Sequence, residues 1–457
     1  MRFFKLVVLS LIAIIVVGGG AAWFLAGREE GPAITISSPQ KYVGRATAFS
    51  ATVESPTPVS EPQVAIEQGG QSMTVTPEKV DFTGTQVAVS GTLGKTAQPA
   101  LANGPARISV TATRSVLFGL RRATATVTQD VEVRLDPPRV AVISLHHFIN
   151  AGGAEFVVMR ATPPDVEAGI EVGDARYRMY PGSAVGIADE AVRVGFFAWR
   201  HDQDAKTRLR AYARDAAGNE VTAPIDYKPF PKRFLDSRIP IDQRFLDRVV
   251  PAIASNTPDL NVDTGSPEGL LKGFLEINGN LRKKNNDTIA ALAAKSEPKI
   301  LWTEAFAPMG NAQVESRFAD RRTYFHDDKE IDRQVHLGFD LASLQQAPVL
   351  ASNTGVVLFA DYLGIYGNCV IVDHGLGVQT LYAHLSTMNV KAGDAVNKGH
   401  ELGRTGATGL AGGDHLHFTV LLQGTPVNPV EWWDGHWMED RVFRKIRDAG
   451  GAALHSK

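Results

Sequence analysis

The stretch Gly409–Phe418, GLAGGDHLHF, holds two histidines two residues apart, His415 and His417, behind a run of glycines. On a β-strand, positions i and i+2 point to one side, so these imidazoles project together while Leu416 and Phe418 turn the other way. An imidazole can offer a lone pair to a metal or exchange a proton near neutral pH. The pair reads as part of a metal site or as the exposed face of a half-buried strand. Taken alone it leaves both open.

Two further stretches carry the same chemistry. His336 and Asp340 stand four apart in HLGFD, with Gly338 between them. Zinc takes imidazole nitrogen together with carboxylate oxygen. The stretch reads as extended with a glycine bend, and in a strand i and i+4 also share a side. LYAHLS places His384 on a strand, with Tyr382 expected on the same side; Tyr382 suits a cleft wall as well as a core. Seven of the 12 histidines lie between His326 and His417. One site built from His336, Asp340, His384, His415 and His417 is the economical reading. His326, His374 and His400 read as structural or surface residues, as do the adjacent His146 and His147. Cys369, the sole cysteine, sits in the strand-like GNCVIVDHG and reads as a packed, inert thiol.

The elements that must position these residues are mostly strands. From Lys299 on, TGVVLFADYLG, GNCVIVDHG, GVQTLYAHLS and DHLHFTVLLQG are each bounded by glycine or polar turns. Residues 299–437 are expected to form this domain and 438–457 a tail with a short basic helix. Before it, 230–298 shows helical spacing, with Ser266 as an N-cap and Pro267 in the first turn. Residues 32–137 and 138–229 alternate apolar and polar in short runs and read as two immunoglobulin-like β modules. Arg214–Asn219 looks like the turn before the last strand of such a module. The fold class is therefore mainly β.

The chain is 457 residues long, 44% hydrophobic and 21% charged, which is the composition of a folded multidomain protein. A net charge of −2 gives no global reason to expect a nucleic-acid partner. Residues 1–27 hold an uncharged run from Leu6 to Gly27, preceded by Arg2 and Lys5 and closed by Arg28, Glu29 and Glu30. About 20 apolar residues span a bilayer. The run is longer than the apolar region of a cleaved signal, so an uncleaved anchor is expected, with its N-terminus in the cytoplasm and the rest outside the inner membrane.

Together, SRFADRRTYF, VHLGFDLAS, GVVLFADYLGIYGNCVIVDHGLGVQTLYAHLS, VKAGDAVNKGHELGRTGATG, DHLHF and PVNPVEWW resemble the M23 metallopeptidases, the lysostaphin-type or LytM-like peptidoglycan endopeptidases. The resemblance covers about Thr303 to Trp437. It departs at Ala319, where many members have Gly, and at Thr419, where a Glu often follows HLHF. It implies an antiparallel β-sheet peptidase domain of the duplicated hybrid motif type. It also implies one zinc ion held by His336, Asp340 and His417, with His384 and His415 as catalytic histidines off the metal. The substrate it implies is peptidoglycan peptides, with the D-alanine to diaminopimelate cross-link as target in a cell with an outer membrane. Some members have lost ligands and activate amidases, so a catalytically silent or autoinhibited LytM-like regulator that binds the cell wall or activates amidases is the alternative, and the identity of any protein regulator is left open. The intact ligand set favours the enzyme.

Overall fold

The computed structural model describes residues 2–452. Met1 of the expected anchor and residues 453–457 of the expected tail lie outside the described residues. The chain divides into two compact units, residues 1–138 with 214–221, and residues 139–213 with 222–457.

The first unit begins with helix Arg2–Ala26, whose stretch Phe3–Ala26 has a mean hydropathy of 2.5 and is long enough to cross a membrane. Two antiparallel-rich sheets follow, of four and five strands, packed face to face. The longest pair, Gly104–Val116 and Arg121–Val133, forms one hairpin. Along its first strand Ala106, Ile108, Val110 and Ala112 turn inward at period two, meeting Phe49, Ala51 and Val53 of the other sheet in one core. Residues 214–221 join this unit through a turn. The Asp215 carboxylate accepts from the amides of Ala217 and Asn219, and the Asn219 amide donates to the Arg134 carbonyl at 2.8 Å.

In the second unit, an eight-stranded sheet carries the histidines. The path runs Gln313–Ser316, Phe339–Ala342, Leu416–Leu422, Val378–Leu385, Asn368–Asp373, Gly355–Tyr362 and Ala395–Val396, with Thr425–Val427 on the side. Each of these pairs is antiparallel. Alternation sorts the two faces. Leu381, Ala383 and Leu421 pack with Ile289 and Leu292 of helix Arg282–Leu292 on one side. Phe418 and Tyr382 meet on the other, 5.4 Å between ring centroids.

The helical stretch is therefore laid on the sheet face that also bears His417. Asp242 caps helix Gln243–Ser255 by accepting from Phe245 N, and Ser266 caps Pro267–Glu276 by accepting from Gly269 N. Their apolar stripes, Leu246, Val250, Ile253, Leu270 and Phe274, bury against one another and against Tyr324 and Ile365. Strand Asp236–Pro240 leaves the helices to extend the Asp320–His326 and Lys329–His336 hairpin in parallel.

Residues 139–213 contribute strands that share their core with the histidine-bearing sheet. Phe196 packs on Trp432 and Trp302, and Trp302 on Phe306 and Phe443. Two buried carboxylates cross the same seam. Glu431 accepts from Asn150 Nδ2 and Ala154 N, and Glu155 accepts from Lys445 Nζ at 2.7 Å. The basic helix at the chain's end, Arg444–Asp448, is thus held down by one buried lysine.

Candidate metal centre

Strand Lys329–His336 ends on His336, the chain bends at Leu337 and Gly338, and Phe339–Ala342 begins a strand of a different sheet. His336 and Asp340 therefore meet across a corner, not along one strand. Gly338 allows the corner to close. A Cβ there would lie 2.6 Å from both His417 Cε1 and Thr419 Oγ1. Asp340 pairs in register with His417 on the neighbouring strand.

The three side chains converge. His336 Nε2 lies 2.9 Å from Asp340 Oδ1 and 2.9 Å from His417 Nδ1, and His417 Nδ1 lies 3.0 Å from the same Oδ1. All three residues are buried or nearly so. Their outer atoms are tied. His336 Nδ1 is 3.1 Å from the Arg317 carbonyl, which can only accept, so the proton is on Nδ1. His417 Nε2 is 3.0 Å from Thr419 Oγ1, whose hydroxyl donates to the Leu337 carbonyl and so accepts from the ring. Both inner nitrogens then present lone pairs to each other and to a carboxylate oxygen. Three electron-rich atoms held at 3 Å repel unless a cation sits among them. The donor set, two imidazole nitrogens and a carboxylate oxygen with fixed tautomers, is that of a zinc site with a position left for water.

Asp340 is held on its other side. Arg322 Nη2 donates to Oδ2 at 2.9 Å and to Ser316 Oγ at 2.8 Å. Burial pushes His417 down to about 4, against the pull of Asp340.

His384 and His415 stand beside this triangle. Their rings are 4.8 Å apart, and His384 is 5.8 Å from the His417 ring. His384 Nδ1 donates to the Thr408 carbonyl and His415 Nδ1 to the Gly413 carbonyl, each at 2.8 Å, leaving both Nε2 atoms free of backbone partners. His415 Nε2 is 3.5 Å from Asp340 Oδ1. Burial lowers His384, and the charges of His415 and His417 take it well below its ordinary value. Burial also acts to lower His415, but the Asp340 carboxylate outweighs it and the net shift is upward.

The strand alternation expected to put Tyr382 and His384 on one side is broken. Asn368 pairs with Leu385 and Val370 with Tyr382, so one residue is extra on the Val378–Leu385 strand. His384 takes up the irregularity at φ 63, a left-handed conformation that is rare for a non-glycine residue. The bulge turns His384 to the His417 side, while Tyr382 stays in the core with its hydroxyl accepting from Ser352 N. His374 is a core residue, bonded to Thr354 O and Thr380 Oγ1. Cys369 is fully buried and its thiol is pushed up by burial.

The walls around the triangle include residues that spacing does not reveal. The Tyr366 ring lies 5.7 Å from that of His417, and its hydroxyl donates to Asn286 Oδ1 at 2.9 Å. Arg248 Nη2 donates to the carbonyls of Ala411 and Gly412 in the glycine-rich loop before His415. Thr419 is two residues beyond His417 on the same side and was readable as its neighbour. Arg322 and Ser316 come from other strands, and nothing in the sequence joins them to Asp340.

Residues 334–429 match the model of peptidase family M23. The DD-carboxypeptidase/endopeptidase Mpg of Neisseria meningitidis serogroup B is 45% identical over 97 residues, 21% of this chain and 22% of the relative. The peptidoglycan DD-endopeptidase ShyA of Vibrio cholerae is 29% identical over 163 residues, 35% of this chain and 34% of the relative. The chain thus spans a fifth to a third of the length of these curated relatives. Among solved structures, a zinc-containing peptidase from Vibrio cholerae is 14% identical, with 71% of this chain and 80% of that one covered, at a TM-score of 0.27. The segment that brings His336, Asp340, His384, His415 and His417 together is the matched one, and the chain carries a peptidase family M23 domain.

Proposed function

We propose that this chain is a zinc-dependent endopeptidase that cuts peptide bonds in peptidoglycan cross-links. The observation that carries the reading is the closed triangle of His336 Nε2, Asp340 Oδ1 and His417 Nδ1, with its lone pairs turned inward by outer hydrogen bonds. When bound there, zinc polarises a carbonyl and makes hydroxide available near neutral pH. His336, Asp340 and His417 are the ligands. His384 is held neutral by burial, and its Thr408 bond leaves Nε2 able to take a proton. His415 Nε2, beside Asp340 and free of backbone partners, stands where a protonated ring would donate toward an oxygen gaining negative charge. The names of the Neisseria and Vibrio relatives both carry endopeptidase activity of the DD type, which supports a bond between two D-configured residues as the target.

Helix Phe3–Ala26 serves as an anchor in the inner membrane, with the peptidase on the wall side. The basic residues Arg2 and Lys5 ahead of the span support that orientation. The deciding experiment pairs metal analysis of the full chain with digestion of purified cross-linked peptidoglycan. One zinc per chain and loss of cross-linked muropeptides are expected. A chain that holds zinc and leaves every cross-link intact would overturn the enzyme reading in favour of a wall-binding regulator.

A further inference from the structure

Two arginines fasten the first sandwich to the end of the apolar helix. Arg121 Nη1 donates to the Trp23 carbonyl, and its guanidinium lies over the indole, 4.8 Å from the ring centroid. Arg114, nearly buried, donates from Nη2 to Glu29 Oε2 at 2.7 Å and from Nε to the Glu30 carbonyl at 2.8 Å. Ala26 packs with Val116 and Ala123 in a small apolar cluster, and Leu117 lies against it. Gly27 and Gly31 permit the approach. A Cβ at Gly27 would lie 2.4 Å from Arg121 Nη1, and one at Gly31 2.5 Å from Ala125 N. The helix end is built into the sandwich, so the tip of the Gly104–Val116 and Arg121–Val133 hairpin is held at the level of Trp23 to Ala26.

That tip is oddly made for a surface in water. Phe118 is 103% exposed and Leu120 is 70% exposed. Leu117 and Phe118 take φ of 51 and 54, the left-handed region that bulky residues avoid. A solvated tight turn is served by Gly, Asn or Asp. Here a fully exposed phenylalanine holds the turn. Arg121 and Arg122 follow at once, giving an apolar point backed by cations. Tryptophan at the end of an apolar span marks the interface between hydrocarbon and headgroups, and cations set just behind an apolar insert meet lipid phosphates.

We propose that the hairpin tip is a second membrane contact, with Phe118 and Leu120 inserted at the boundary of acyl chains and headgroups and Arg122 facing the phosphates. The partner is the phospholipid surface itself. The proposal rests on helix Phe3–Ala26 being retained as an anchor, and it goes beyond that reading by giving the first sandwich a fixed seat on the bilayer.

The test uses the full chain reconstituted in phosphatidylethanolamine–phosphatidylglycerol vesicles, with a polarity-sensitive fluorophore on Phe118→Cys. The native Cys369 is buried and stays unlabelled. The control is Ser72→Cys, exposed on strand Gln71–Val75 and level with Arg107 through Glu67, about 30 Å from the tip along nine residues of strand. Label at 118 should emit to the blue of label at 72, and lipids with a nitroxide near the headgroup should quench it several-fold more. If the chain floats with the vesicles and the two labels emit and quench alike, the tip proposal falls and the anchor stands. If the chain stays out of the vesicles, the anchor falls and the tip proposal with it.

Discussion

At the scale of single residues, the site is decided by where two protons are. Arg317 O and Thr419 Oγ1 hold them on the outer nitrogens of His336 and His417, and the inner lone pairs follow. Thr419 stands where a glutamate often follows HLHF, and a hydroxyl that accepts from the ring while donating to Leu337 O can fill that outer role. Thr419→Val removes the acceptor at nearly constant volume. It should weaken zinc binding by about 10–100-fold, read by competition with a chromophoric chelator, with the fold unchanged by circular dichroism. His417→Ala should lose the metal outright. His384→Ala should keep one zinc per chain and lose about 10²–10⁴ in turnover, measured by muropeptide release. Full activity in either alanine variant would sink the assignment. HLGFD, LYAHL and HLHF were legible as stretches with ligand-type side chains, but strand spacing accounts only for His415 and His417, since His336 and Asp340 meet across a corner and His384 turns in through a bulge. Arg322 was not legible, since it reaches Asp340 from a hairpin strand and strand pairing is absent from the linear text.

At the scale of elements, two local irregularities make the site. The first is the corner at Gly338, where one sheet ends and another begins. Gly338→Ala places a methyl 2.6 Å from the His417 ring and the Thr419 hydroxyl. Overpacking of this kind costs about 1–3 kcal/mol. The variant should melt earlier and bind zinc less tightly, and unchanged calorimetric and chelator titrations would remove the corner from the account. The second is the bulge that turns His384 inward. Alternation along LYAHLS assigns Tyr382 and His384 to one side, and alternation is the rule that a bulge suspends. The strands themselves were readable from their glycine and polar boundaries. An extra residue in one strand shows only against its partner's count, here Asn368 and Val370 against Leu385 and Tyr382. The helical stretch was also readable, down to the Ser266 cap, but its placement on the His417 face depends on Ile289 and Leu292 finding Leu381 and Leu421.

At the scale of the whole molecule, buried charges join residues 139–213 to the family M23 domain. Glu155 is fully buried with Lys445 as its cation. Lys445→Ala leaves that carboxylate unpaired and should cost about 3–5 kcal/mol of unfolding free energy in denaturant titration. Glu431 adds a pH dependence. Burial raises its carboxyl from 4.5 to about 7, against the hydrogen bonds from Asn150 and Ala154. A carboxyl raised on folding favours the folded chain fully below pH 4.5, and that contribution is lost as pH climbs through 7. A tenfold change in proton affinity between the folded and unfolded chain corresponds to about 1.4 kcal/mol. Glu431→Gln should therefore gain on the wild type between pH 4.5 and 7 by a few kcal/mol, and parallel stability curves would count against it.

With helix Arg2–Ala26 spanning a bilayer as proposed, the arginine clamp on Trp23 and Glu29 decides how that span acts on the sandwich. A span joined by a loose linker is a leash, and its own rotation does not matter. A span bolted to a rigid sandwich is an axle. Adding one alanine between Trp23 and Gly27 would turn the sandwich about 100° against Trp23 and shear the bolt. Adding one near Leu11 would leave the bolt whole and lift the sandwich by about 1.5 Å. Two insertions of equal length and hydropathy would then differ in effect by where along the axle they fall.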